Sequence, residues 1–197
     1  MDFLKTIKQR RTNFNIDSEI TVSDETLIED IKTIVYHAPS PFNTQHQSVV
    51  IALGDTHRAV WDAIIENVKA STSKKRFETL KGKIEGFKKG YGTVLFYDDV
   101  THIRDYQERF AKVKDRFETW MHQAQGMVQI NVWNLLASYG LAASLQHYNP
   151  SIDDDMKALF NTGDEMILRA QMPFGVPSGD VKTKDFKPIE QRVLIKK

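Results

Sequence analysis

Three short stretches of this chain hold residue types that could do chemistry. The first is Arg10-Arg11-Thr12, two guanidinium forks followed by a hydroxyl. Guanidinium groups meet phosphate oxygens in pairs, so the trio suits a phosphate. It suits a helix C-terminus equally well, because cations there face the negative end of the helix dipole. The second is Pro39-Ser40-Pro41-Phe42-Asn43-Thr44-Gln45, a short joint with two prolines, one ring and four polar side chains. Each proline fixes its own φ and keeps the residue before it extended, so the joint is expected to be stiff, with Ser40, Asn43 and Gln45 as polar tips. The third is Gln146-His147-Tyr148-Asn149-Pro150, polar and aromatic residues closing an apolar run, which also read as a plain turn before a helix.

The missing motifs narrow the chemistry. There are no cysteines among the 197 residues, which excludes a thiol nucleophile, a disulfide scaffold and Cys-ligated metal. The six histidines form no HxH, HExxH or carboxylate spacing, so no metal site is expected. No GxGxxG, Walker loop or GxSxG is present. Any demanding reaction would therefore fall to a bound cofactor. A net charge of +1 gives no field to recruit nucleic acid or an anionic membrane. The start, MDFLKTIKQRRTNF, lacks a secretory apolar run, and no later stretch reaches the roughly 18 apolar residues of a membrane span. A cytoplasmic protein is the expectation.

The elements that must hold these stretches follow from periodicity. Residues 2–10 predict a helix with Phe3, Leu4 and Ile7 on one stripe. Ser23 or Asp24 caps a second helix to about residue 37, carrying Leu27, Ile31, Ile34 and Val35. Ser48 to Leu53 is a strand apolar on both faces, and Asp55 can cap the helix after it. Residues 73–89 form a basic helix with Phe77, Leu80, Ile84 and Phe87 inward; its cations also admit an interaction surface. "TVLFYDD" is a second strand, and 101–140 predict a charged helix and then a long one closed by Gly140. That helix is apolar all round from Met127 to Leu141, so it should run through the core. "LAASLQHY" and "EMILRAQMPF" are further strands with a helix, Asp153 to Phe160, between them, and an extended basic tail begins at Lys182. The reading is one α+β domain over 1–197.

Taken together and in order, these stretches resemble the FMN-dependent nitroreductase family. Arg10-Arg11-Thr12 resembles its N-terminal Arg-Arg-Ser/Thr, and residues 39–45 its Pro-Ser-(Ser/Pro)-x-Asn-x-Gln loop. Gly140-Leu141-Ala142 is similar to its Gly-Leu-Gly, and Pro173 to Pro177 with Lys184 and Pro188-Ile189-Glu190 to its C-terminal segment. "YGTVLFYDD", "LQHYNP" and "MPFGVP" most resemble its fatty-acid-repression-mutant branch, which includes fungal and bacterial stress-induced proteins. The resemblance implies a small, mainly antiparallel sheet wrapped by helices and a domain-intertwined homodimer with FMN between the chains. It implies that Arg10, Arg11, Thr12 and Lys184 hold the phosphate, with Lys182 and Arg192 as alternatives to Lys184. Pro39, Ser40, Pro41, Phe42, Asn43 and Gln45 would line the isoalloxazine ring, whose alternating donors and acceptors amides match well. Leu145, Gln146, His147 and Tyr148 would lie near its N5, with backbone N–H groups as donors. NADH or NADPH would reduce the flavin, which would pass the electrons to a nitroaromatic or quinone. A flavin-binding stress or lipid-signalling regulator with incidental turnover is the alternative. Phe14 stands where many relatives carry a basic residue, and the basic helix 73–89 stands where many carry a substrate lid.

Overall fold

Strand β3 (Gly92–Asp99) is an unbroken apolar run because both of its faces are covered. Successive side chains leave a strand on opposite sides. Val94 and Phe96 join one apolar cluster with Leu27, Ile31, Val128 and Val132, while Leu95 and Tyr97 join another with Trp61, Ile64, Ile84 and Phe87. The structure, a computed structural model, describes residues 2–181 and 183–197, and β3 lies inside its sheet. The strand order is β1 (Ile16–Asp17), β5 (Met166–Pro177), β3, β2 (Gln47–Leu53), with β4 (Ala142–Ala143) also on β5 and every pairing antiparallel. Helices α3 (Gly54–Ser71), α4 (Lys74–Lys88) and α7 (Asp153–Phe160) cover one face. Helices α2 (Asp24–Tyr36) and α6 (Phe117–Ser138) cover the other. α1 (Phe3–Gln9) rests on α6, and α5 (Ile103–Arg109) shares a small cluster with Phe117 and Met121. This is the expected α+β arrangement of a small antiparallel sheet wrapped by helices.

The ends of the elements have local causes. Ser23, rather than Asp24, caps α2 by accepting the Thr26 N–H at 3.2 Å, and Ser73 does the same for α4 from Arg76. α6 stops at Gly140, whose φ of 75° lets Leu141 N–H return to the Leu136 carbonyl at 2.9 Å. Asp55 is not a cap: α3 begins one residue earlier, at Gly54, with no side chain capping it. The strand expected over 141–148 shrinks to Ala142–Ala143 and an isolated Gln146–Gln171 bridge. β5 runs past Phe174 to Pro177 because β1, too short to show in a pattern, pairs with its end. Gly175 allows that approach, since a methyl there would run into the Asp17 carbonyl.

One expectation about α6 is corrected. Its Phe117, Met121, Ala124, Val128, Val132 and Leu136 are buried, but Met127 and Ile130 are each 41% exposed. The apolar stripe of α1 is also outward, with Phe3 at 65% and Leu4 at 64%. The described residues after Pro177 are exposed, Leu194 and Ile195 among them. Among the described residues, no helix is long and apolar enough to cross a membrane.

Beneath α3 lies a buried polar knot. His57 Nδ1 and Trp61 Nε1 both meet Thr93 Oγ1 at 2.8 Å, and His57 Nε2 donates to the Lys88 carbonyl at 3.2 Å. A shared hydroxyl oxygen thus ties α3 to β3, and the histidine ties both to the end of α4. Burial lowers His57 to about 4. A histidine lowered by folding binds fewer protons in the native state than in the unfolded chain, so its stabilisation is complete above about pH 6.5 and is lost as pH falls toward 4. Urea unfolding should therefore show roughly 2–3 kcal/mol less stability at pH 4.5 than at pH 7.5 from this group. His57→Gln, which cannot titrate there, should flatten that part of the profile; identical wild-type and variant profiles would contradict the assignment.

Candidate functional site

The chain leaving α1 is held straight by the sheet. Arg10 N–H returns to the Thr6 carbonyl, Thr12 bridges Ala143, and Asn13 N–H donates to the Ala143 carbonyl at 3.0 Å before β1 begins. This track brings Arg11, Thr12, Asn13, Phe14 and Asn15 to one wall of a cavity of about 450 Å³. Asp180, Val181, Thr183 and Lys184, from the other end of the chain, form the opposite wall. Of the phosphate candidates, Arg11, Thr12 and Lys184 therefore meet, Arg192 lies elsewhere on the tail, and Lys182 lies outside the described residues. Arg10 turns to an adjoining cavity of about 240 Å³, with its guanidinium 4.6 Å above the Trp133 ring. Burial, and Arg11 beside it, lower the pKa of Arg10.

Asn13 belongs to both cavities and was passed over in the sequence. It is 5% exposed; its Oδ1 accepts the Asn15 N–H at 3.0 Å, and its Nδ2 has no partner among the described residues. A buried donor left unmade costs about 1–3 kcal/mol. The signal available in the sequence was an amide beside two arginines. At the next position, Lys83 of α4 places its ammonium 4.7 Å above the Phe14 ring, so a cation stands near Phe14.

The joint at 39–45 is stiff for a different reason than proline alone. Ser40 is extended before Pro41, as expected, but Pro41–Asn43 form a 3₁₀ turn. Phe42, Asn43 and Gln45 all take left-handed backbone, with φ of 53°, 56° and 50°. Such conformations are held only where the surroundings insist. Asn43 N–H and Thr44 N–H return to the Ser40 and Pro41 carbonyls, and Gln45 N–H donates to Ser40 Oγ at 2.9 Å. The Ser40 oxygen is thus engaged inside the loop, while Asn43 and Gln45 remain exposed tips. Phe42 stacks on Phe110 at 4.1 Å and on Phe117 at 5.8 Å. Pro39, Ser40, Pro41 and Phe42 face Trp120, Gln123, Ala124 and Met127 of α6 across a cavity of about 430 Å³. On one straight helix Gln123 and Trp133 lie about 15 Å apart, so this cavity and the arginine end sit at separate stations along α6.

The third stretch lines neither cavity. Gln146 N–H donates to the Gln171 carbonyl at 2.7 Å, and Tyr148 N–H donates to Gln171 Oε1 at 2.9 Å. Those two donors are spent on β5, and alternation directs the N–H groups of Leu145 and His147 the other way. Tyr148 sets its ring edge-on to Trp61 and is pushed up to about 12 by burial, whereas His147 is exposed. Of the backbone donors expected on this stretch, those of Gln146 and Tyr148 are therefore engaged by Gln171.

Behind the joint is a polar cluster the sequence reading did not assemble. Asp98 is fully buried in β3 and receives Arg169 Nε at 2.6 Å and Gln125 Nε2 at 3.2 Å. His46 Nε2 lies 3.7 Å from the same carboxylate and 3.4 Å from the Met121 carbonyl, while its Nδ1 is 2.8 Å from Thr44 Oγ1. Burial raises Asp98 against the pull of Arg169, and burial lowers His46. The signal in the sequence is an acid, Asp98, and an arginine, Arg169, inside two largely apolar strands.

Comparison with known proteins places this geometry. Residues 7–176 match the Nitroreductase family. Nitroreductase FRM2 of Saccharomyces cerevisiae is 30% identical over 187 residues, 94% of this chain and 93% of that protein. The putative nitroreductase HBN1 of the same yeast is 28% identical over 188 residues, 93% of this chain and 92% of that protein. The structure of nitroreductase CinD from Lactococcus lactis in complex with nicotinic acid superposes with a TM-score of 0.91 at 34% identity, covering 100% of both chains. CinD has also been solved with chloramphenicol and with 4-nitrophenol. With the match running from the end of the first helix to the end of the last strand, the chain belongs to the nitroreductase family, in the branch of the yeast FRM2 and HBN1 proteins, and is an oxidoreductase of the nitroaromatic type.

Proposed function

We propose that the chain is a single-domain, FMN-dependent NAD(P)H oxidoreductase that acts on nitroaromatic or quinone-type acceptors as a homodimer. The observation that carries the proposal is the cavity at the arginine end. Two cations from opposite chain ends, a hydroxyl and a buried amide donor with no partner among the described residues surround one space. That donor set fits a phosphate ester, and Asn13 Nδ2 is the kind of orphan a bound ligand satisfies. When bound, FMN would supply the redox step, taking hydride from NADH or NADPH and giving electrons to the acceptor in ping-pong order. The chain's own residues bind, orient and shield. Arg11, Thr12, Asn13 and Lys184 would hold the phosphate, with Arg10 close by over Trp133. Residues 39–45 would line the ring with the amides of Asn43 and Gln45, and the N–H groups of Leu145 and His147 are the donors left on the third stretch. CinD's complexes with two nitro compounds support the acceptor class, and its nicotinic acid complex supports a nicotinamide reductant.

What one chain leaves bare supports the homodimer. The arginine cavity and the joint stand apart on α6, and Met127 and Ile130 of that helix, with Phe3 and Leu4 of α1, are apolar groups without cover. A second copy laid on this face would bury them and bring its joint to the first chain's phosphate site. The extended tail with Val193, Leu194 and Ile195 can reach across, giving the intertwined form.

Flavin retention in variants and on dilution tests the proposal. Arg11→Ala combined with Lys184→Ala should release most FMN while leaving the far-UV helical signal, and Asn13→Asp, which keeps the bond to Asn15 but removes the donor, should weaken FMN binding at least about tenfold. Protein that stays colourless with excess FMN would end the reading. On dilution through the dimer dissociation constant, flavin fluorescence should rise as light scattering reports monomers; a flavin-loaded monomer would contradict the shared site.

A further inference from the structure

The left-handed turn at 42–45 has no glycine to ease it, so something outside the turn must hold it. Besides the stacking of Phe42, the side chain that ties it to the interior by a hydrogen bond is Thr44, whose hydroxyl is 2.8 Å from His46 Nδ1. His46 is 1% exposed in its side chain, and its other nitrogen is flanked by the Met121 carbonyl and the Asp98 carboxylate. Both of those neighbours accept; Asp98 is already the target of Arg169 and Gln125. The ring proton must therefore sit on Nε2. Burial keeps the ring neutral, so Nδ1 is an acceptor and the Thr44 hydroxyl is its donor. The hydroxyl has one proton, and this assignment fixes its direction.

We infer that His46 is a positioning residue: held by Asp98 and the Met121 carbonyl, it latches Thr44 and thereby keeps residues 42–45 in the shape that faces the ring. Three elements converge on the latch, with Asp98 from β3, Arg169 from β5, and Met121 and Gln125 from α6. Packing of the sheet against α6 thus sets the geometry of a surface loop. The step from loop shape to ligand rests on the reading that residues 39–45 line the flavin, while the latch itself is a property of the free protein.

The test uses the full chain and two nearly isosteric variants, Thr44→Val without the hydroxyl and Thr44→Ser with it. In the flavin-free protein, amide exchange at Gln45, whose N–H is bonded to Ser40 Oγ, should quicken about tenfold in T44V and stay at the wild-type rate in T44S, the scale of one lost hydrogen bond. His46→Gln, which keeps a donor near Nε2 and removes the Nδ1 acceptor, should match T44V, and the double variant should be no faster than either alone. The ¹⁵N resonances of the wild-type ring should report a neutral imidazole protonated on Nε2. Unchanged Gln45 exchange in T44V, additive effects, or a proton on Nδ1 would each overturn the latch. FMN affinity measured on the same proteins separates the two readings. A fall of about fivefold or more in T44V, restored in T44S, supports both; faster exchange with FMN affinity unmoved upholds the latch and removes the ring-facing role of the loop.

Discussion

The inner strands β3 and β5 have no wet face, and the rest of the architecture answers to that. β3 alternates its side chains between two apolar layers, and β5 joins one layer through Leu168 and the other through Ala170, Met172 and Phe174, so two sets of helices are needed, and they come from different parts of the chain. α3, α4 and α7 close one side; α2 and α6 close the other. Charged groups inside such strands have to be matched there. Asp98 and Arg169 are matched across the β3–β5 pairing, and Thr93 on β3 is shared by His57 and Trp61. The edges of the sheet are then free to carry binding groups, and it is an edge that holds Arg11, Thr12 and Asn13 on the track beside Ala143.

The legible part of this protein was the part governed by periodicity. Leu27 and Ile31 on α2, or Phe77, Ile84 and Phe87 on α4, announce their faces in one dimension, and the structure buries them as read. β1 stayed invisible because two residues, Ile16 and Asp17, make no pattern. The third strand was overread because apolar residues at 141–145 suit a sheet edge that bonds on one side only at scattered points. α6 was read as central because its composition is apolar on every side; in one chain its second side meets solvent.

The candidate site divides the same way. The family resemblance, rather than residue types, groups Lys184 with Arg11 and Thr12 although 172 positions separate Thr12 from Lys184, and all three line one cavity. Arg10 stands over Trp133, a partner 123 positions away that no local rule names. The left-handed turn at Phe42 and Asn43 could not be read, because non-glycine residues enter that region only under tertiary pressure. Asp98 and Arg169 stand out one at a time as odd residues in apolar strands, and His46 as a histidine just before another, but their meeting depends on topology.

Joining the first turns of the chain to residue 184 has a consequence for synthesis. A ribosome makes Thr12 172 positions before Lys184, so the cavity they line has only one wall until residue 184 has been added. The second wall closes only when Asp180, Val181, Thr183 and Lys184 lie along the track that leaves α1, so the cavity needs both the finished sheet edge and the segment after β5 in place.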